Sequence, residues 1–255
     1  MVAPMDAPRG PFDEFAIATA VLTRLPDGAA LPADGAIAAS GWAFPLVGAG
    51  VGAIAALTFL VAELLGCGSA PAALLAVAAG LAVTGAFHED GLADTADGFG
   101  GGKSREEKLA IMRDSRHGSF GVIALVLSVG LRAAALGTIG EPIRAGLALI
   151  AAHAASRGAL PPLMRLLAPA RTDGLGAMAG RPSRTVALIA AVLGAAIALA
   201  LLGPRTGGIA LVLSGAALAL AAMLVRRQIG GYTGDVLGFL QQIGEIVMLL
   251  AASAR

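Results

Sequence analysis

Cysteine is almost missing from this chain: Cys67 is the only one in 255 residues, so no internal disulfide can form. It follows a long apolar run and reads as a packing residue. Charge is scarce as well, at 14% of residues against about 25% in ordinary soluble domains. The net charge of +1 excludes the basic surface that a nucleic-acid binder needs. No internal repeat is present, and the amino terminus lacks the cationic start and short apolar core of a secretory signal.

What is abundant is apolar. Hydrophobic residues make up 57% of the chain, more than one soluble core of this size can bury. They lie in long runs, roughly 42–66, 70–87, 119–139, 143–164, 185–203, 207–225 and 236–252. Each is long enough, or nearly so, to cross hydrocarbon. The expected fold is an all-α polytopic transmembrane bundle of about seven spans, a single integral-membrane domain over 1–255. Trp42 is placed to anchor at an interface. Residues 12–25 read as an amphipathic helix, with Phe12, Phe15, Ala18, Leu22 and Leu25 on one face and Pro26 ending it. It is expected at the membrane surface or against the protein. Residues 26–40 read as a loop.

Seven crossings with a cytoplasmic amino terminus put 14 of the 18 basic residues inside, over 1–41, 88–118, 157–184 and 226–235. That agrees with the cytoplasmic excess of Lys and Arg in membrane proteins, and predicts a cytoplasmic 88–118 segment.

That segment, HEDGLADTADGFGGGKSREEKLAIMRDSRHG, holds the expected chemistry. Asp90, Asp94 and Asp97 fall on one face of a helix at spacings of four and three, with Glu89 at the edge. Like charges so crowded are unstable unless a cation neutralises them. An all-oxygen donor set suits Mg²⁺, with phosphates supplying further ligands. The EF-hand ligand pattern is absent, and the glycine spacing before Lys103 is not a Walker loop. Gly100, Gly101 and Gly102 are expected to form a turn whose amides approach an anion. Ser104 and Glu107 predict a capping box. Arg113, Asp114, Arg116 and His117 follow, with arginine forks suited to phosphate oxygens. Acids followed by bases fit metal-assisted phosphoryl transfer, although a solvated acidic loop and membrane-anchoring arginines are the simpler alternatives.

Outside this segment, Asp235 follows GGYTG and is expected as a metal ligand, a base or a helix cap. Gly231 and Thr233 stand beside it. Glu245 lies at bilayer depth with Arg132 and Arg157 as candidate partners. His153 reads as a satisfied interior histidine. Arg171, Asp173 and Arg181 occupy a glycine-rich loop.

HEDGLADTADGF followed by IMRDSRHGSFG resembles the cobalamin synthase, or adenosylcobinamide-GDP ribazoletransferase, family. LTRLP at 22–26, FPLVGAGVG at 44–52 and GGYTGDVLG at 230–238 are similar to its other motifs, in order along almost the whole chain. His117 departs from the pattern, which has an aliphatic residue there. The resemblance implies a Mg²⁺-dependent, multi-pass enzyme of the cell inner membrane. It joins adenosylcobinamide-GDP to α-ribazole, or its 5′-phosphate, and releases GMP. On that reading Asp90, Asp94, Asp114 and Asp235 are catalytic. Glu89, Asp90, Asp94 and Asp97 hold metal. His88, Lys103, Arg113, Arg116, Gly100, Gly101, Gly231 and Thr233 contact substrate or phosphate. Other cobalamin-assembly enzymes or a second copy of the chain are possible partners.

Two other readings compete. A CDP-alcohol phosphotransferase requires Ala-Arg two residues after an Asp-Gly pair, which Asp90-Gly91 lacks. A secondary transporter would line its pathway with Arg132, His153 and Glu245, but no matched pair of broken helices is visible.

Overall fold

The computed structural model describes residues 10–25, 35–114 and 116–254. Arg9, Arg255 and the 26–34 part of the expected loop lie outside them. Twelve α-helices account for most of the described chain. They are α1 Pro11–Leu22, α2 Ala36–Ser40, α3 Phe44–Leu64, α4 Ser69–Thr84, α5 Phe87–Gly101, α6 Arg105–Ile111, α7 Ser119–Ile139, α8 Pro142–Gly158, α9 Leu160–Leu166, α10 Leu175–Met178, α11 Arg184–Ile229 and α12 Gly234–Ser253. A 3₁₀ turn at Gly41–Ala43 joins α2 to α3, so the expected loop is already helical from residue 36.

The outer faces of α3, α7 and α11 carry exposed leucine, isoleucine and valine, including Leu57, Val126 and Val212. Their inner faces are small, with Ala55, Ala135 and Ala198 buried. This inside-out pattern is that of a membrane bundle, where small residues let helices approach closely. A Cβ on Gly52 would lie 2.7 Å from the Ile150 Cα, so α3 and α8 meet backbone to backbone there.

Four helical runs are long and apolar enough to cross a membrane, Ala36–Leu64, Ser119–Ile139, Arg184–Ile229 and Gly234–Ser253. A fifth exists if α4 and α5 count as one bent span. Length and composition alone thus mark four or five spans where the sequence suggests about seven. α4 has 16 residues and α8 has 17, below the roughly 20 that hydrocarbon demands. Two expected spans, 185–203 and 207–225, fall inside α11. That run is broken at Gly203 (φ 76°, ψ 164°), with Pro204 following. A Cβ on Gly207 would lie 2.9 Å from the Ala198 oxygen, across residues that a straight helix separates by about 13 Å. The chain thus doubles back at Gly203 into two antiparallel arms.

α1 is half committed to the protein. Ile17, Ala18 and Leu22 are buried, whereas Phe12 is 90% exposed and Phe15 41%. The single apolar face expected of 12–25 is therefore divided. Its helix stops at Leu22 with extended Thr23, before Pro26 is reached.

The corner that presents the acidic segment lies between α4 and α5, which meet at 93°. Gly85 (φ 65°) and Ala86 (φ 56°) are both left-handed, and Ala86 is the only non-glycine described with positive φ. Arg24, from the LTRLP motif, seals this corner: its backbone N–H donates to the Val83 carbonyl at 2.7 Å, and its side chain lies over Gly85. α5 leaves α4 at about a right angle and packs against α7 and α12.

Candidate active site

α5 sorts its acids by face. Asp90 and Asp94 point outward, with side chains 63% and 15% exposed. His117, arriving from the turn before α7, completes a group in which one ligand atom from each residue lies within 4.8 Å of the others. Its Nε2 is 3.9 Å from the Asp90 carboxylate and its Nδ1 3.8 Å from that of Asp94. Partial burial and the charges of Asp90 and Asp235 push the Asp94 carboxyl up to about 7. Such a group is poised to exchange its proton for a cation near neutrality.

Asp235 enters from the first turn of α12. A Cβ on Gly91 would meet the Asp235 carbonyl oxygen at 2.5 Å, so only glycine lets α5 approach this closely. The Asp235 Oδ2 accepts hydrogen bonds from Arg171 Nη2 at 3.1 Å and Thr233 Oγ1 at 3.0 Å. Thr233, not Asp235, caps α12, by accepting the Val236 N–H.

Several expected site residues lie elsewhere. The carboxylate of Asp97, on the same helical face as Asp90, accepts the N–H groups of Gly118 at 2.6 Å and Gly121 at 2.8 Å. It caps α7 and is turned away from the cluster. Any Cβ on Gly118 or Gly121 would collide with it. Glu89 faces the bundle interior, where its Oε1 accepts from Arg132 at 2.9 Å and Gln242 at 3.0 Å. His88 is 2% exposed, on the side of α5 opposite Asp90. Asp114 is bound by Arg116, whose hydrogen bonds hold its carboxyl down to about 2. A carboxylate so acidic is a poor proton acceptor at neutral pH.

The glycine run forms no anion-binding turn. Gly100 and Gly101 are the last residues of α5, with their amides in the helix, and the Gly102 N–H donates to the Gly98 carbonyl. What these glycines provide is room. A Cβ on Gly100 would strike the Phe120 ring at 2.5 Å, and one on Gly98 the Met112 side chain at 2.6 Å. Gly231 is structural too: its bare Cα faces the Ala168 carbonyl where Tyr232 and Pro169 form a short parallel bridge.

Lys103 is exposed after α5. Arg113 contacts Asp173 at 2.6 Å, both exposed, and so pins the loop after α9. In the sequence Arg171 belongs to a glycine-rich loop that either closes over a bulky ligand or simply connects two helices; its contact with Asp235 puts it in the site. Arg105, never singled out, donates to the carbonyls of Ile229 and Ala170, tying α6 to the far end of α11. Nothing local in the sequence marks those two distant carbonyls.

Beneath α5 lies a buried network. Glu245 accepts from Arg132 at 3.0 Å, Arg157 at 3.4 Å and Gln241 at 2.6 Å, and His153 Nδ1 stands 3.1 Å away. Two arginines balance Glu89 and Glu245, so the interior carries no net charge when His153 is neutral.

A family model described as cobalamin-5-phosphate synthase matches residues 14–253. The chain belongs to that family. The acidic cluster is therefore the candidate centre of a cobalamin-biosynthetic transferase. A protein of Bradyrhizobium diazoefficiens is 48% identical over 100% of this chain and 98% of its own length. One of Mesorhizobium japonicum is 49% identical over 97% of this chain and 95% of its own. One of Azorhizobium caulinodans is 51% identical over 82% and 81%. All three are named adenosylcobinamide-GDP ribazoletransferase. No solved structure matches the chain.

Proposed function

We propose that this cobalamin-synthase family enzyme transfers the cobinamide phosphate of adenosylcobinamide-GDP to α-ribazole or its 5′-phosphate, releasing GMP. The observation that carries the reading is the convergence of Asp90, Asp94 and His117 beside the Asp235–Arg171 pair. Asp90 and Asp94 fit a hard divalent cation: two carboxylates side by side, one with its pKa raised by partial burial and by the neighbouring acids, at a surface open to further oxygen ligands. Mg²⁺ held there would neutralise charge on the pyrophosphate oxygens.

The remaining work falls to the chain. Arg113 and Arg116 now hold exposed carboxylates. Exposed pairs of this kind are weak, so a pyrophosphate displaces Asp173 or Asp114 at little cost. Arg171 and Lys103 add positive charge beside the reacting phosphorus. The ribazole hydroxyl oxygen forms a bond to the cobinamide-side phosphorus, and the bond from that phosphorus to the GMP oxygen breaks. The hydroxyl proton passes to Asp235 through Oδ1, the oxygen that Arg171 and Thr233 leave free. Cationic residues concentrated around α5 and α6 support a cytoplasmic orientation of this face in the cell inner membrane.

GMP release from adenosylcobinamide-GDP plus α-ribazole by detergent-purified protein, with Mg²⁺ and with chelator, tests the reading. Release that needs both substrates and the cation is expected. CDP-linked donors should give none, and their turnover would overturn the assignment.

A further inference from the structure

His117 enters the site from a short turn that is fixed on both sides. Ahead of it, the Arg116 N–H donates to the Asp114 carboxylate at 3.1 Å. Behind it, the Gly118 N–H donates to Asp97 at 2.6 Å, and Asp97 belongs to the helix that carries Asp90 and Asp94. One helix thus supplies the two outward-facing acids and the clamp that aims the imidazole at them.

The ring straddles the pair, with Nε2 3.9 Å from Asp90 and Nδ1 3.8 Å from Asp94. Both separations exceed hydrogen-bond length, so the ring is not simply paired with either carboxylate. A protonated imidazole serving only as a counter-ion would close to contact with one acid, and this one holds off from both. Two ligand atoms each about 2.1 Å from one ion can stand up to about 4.2 Å apart. The contacts to His117 lie within that limit. The triad as a whole, with its ligand atoms inside 4.8 Å, has to close by only about half an ångström.

The geometry points to His117 as a nitrogen ligand that gives the Asp90–Asp94 site a mixed donor set, selecting a divalent first-row transition ion such as Mn²⁺ over Mg²⁺. The assignment rests on the divalent-cation site proposed above and adds a ligand to it. Donor chemistry carries the selectivity. Mg²⁺ keeps to oxygen ligands and holds its waters, so an imidazole adds little to its binding. First-row transition ions accept imidazole nitrogen, and a mixed nitrogen and oxygen site rewards them accordingly. Position 117 is also where the chain departs from the aliphatic residue of the family pattern, which offers no donor at all. The other two histidines, His88 and His153, are buried at 2% and 5% exposure. A nitrogen bound to a cation at the surface therefore belongs to His117.

Pulsed EPR of Mn²⁺ tests the ligand directly, on the full chain in detergent, stripped of metal, freed of any affinity tag and without substrates. The unmodified protein should show coupling of the bound ion to a ligand nitrogen. His117→Leu and His117→Gln, the second of which keeps a polar side chain in the turn, should both lose it. Displacement of bound Mn²⁺ by Mg²⁺ gives the relative affinities. Losing a ligand should cost at least the roughly tenfold that losing a ligand's hydrogen-bond partner costs. The preference for Mn²⁺ over Mg²⁺ should therefore fall by about that factor or more in both variants, with Mg²⁺ affinity changed by less than about threefold. Asp94→Asn should weaken Mn²⁺ binding, which places the ion at the cluster. Absence of Mn²⁺ binding, bound Mn²⁺ without nitrogen coupling, coupling retained in His117→Leu, an unchanged preference, or Mn²⁺ indifferent to Asp94→Asn each overturns the ligand. Mg²⁺-dependent GMP release alongside any of these leaves the reaction standing. Coupling that follows His117 in a protein that releases no GMP overturns the reaction and keeps the ligand.

Discussion

The Oε1 of Glu89 accepts a hydrogen bond from Nη1 of Arg132 at 2.9 Å, with both side chains buried. Glu89 adjoins Asp90 in the chain and lies on the other side of the helix, so it fastens the site helix to α7 and is unavailable to a metal at the surface. Arg132→Met removes the partner of a buried carboxylate, an event that costs about 3–5 kcal/mol. Thermal unfolding in detergent should show a large destabilisation, and adding Glu89→Gln should recover much of it. The half-saturating Mg²⁺ of folded Glu89→Gln should match that of the unmodified protein; a large rise would restore Glu89 as a ligand.

Asp94→Asn and Asp97→Ala should separate metal binding from structure. Asp94→Asn removes a charge from the cluster and is expected to lower turnover at least 100-fold with normal unfolding temperature. Asp97→Ala leaves the Gly118 and Gly121 amides uncapped and should cost about 1–2 kcal/mol of stability. Its residual activity should keep the ordinary Mg²⁺ dependence. Asp114→Asn, which only releases an exposed arginine, should change turnover by less than about threefold.

These contrasts mark what was legible in the sequence and what was not. Helical periodicity alone put Asp90, Asp94 and Asp97 on one face, and the capping box at Ser104 and Glu107 is formed as its spacing predicts. The partner of each carboxylate was hidden, because it depends on packing between distant segments. Asp97 meets the α7 amides only because Gly118 and Gly121 lack Cβ atoms, and Arg171 reaches Asp235 across 64 positions. The glycines after Asp97 looked like an anion loop since glycine permits both sharp turns and close helix contacts. Here contact with Phe120 and Met112 decides. The buried pairing of Glu245 with Arg132 and Arg157 was accessible, because few partners exist for a charge inside an apolar run.

The cluster also sets a pH dependence for cation binding. Without a cation, burial and neighbouring acids hold Asp94 protonated below about pH 7. A cation competes with that proton, so apparent Mg²⁺ affinity should fall roughly tenfold per pH unit below 7 and level off above it. Calorimetry in buffers of different ionisation heat at pH 6.5 should register uptake of the released proton. Asp94→Asn should show weaker binding with the slope gone. For the cation-free protein the sign reverses. A folded-state pKa raised above the ordinary carboxylate value favours folding in acid, and that contribution is lost as pH rises through about 7.

The α4–α5 corner offers a test that touches no ligand. Ala86 holds φ 56° and ψ 21°, a left-handed conformation that costs a residue with Cβ about 1–2 kcal/mol. Ala86→Gly relieves that cost but enlarges the freedom of the unfolded chain by somewhat less than the same amount. The unfolding temperature should therefore rise slightly or stay level. Ala86→Val, whose branched side chain tolerates this region poorly, should lower it clearly. If the corner sets the direction of α5, Ala86→Val should also weaken Mg²⁺ activation, because Asp90 and Asp94 lie within about two turns of the bend. A valine variant with unchanged stability and unchanged cation dependence would mean that the corner is not strained and does not orient the site.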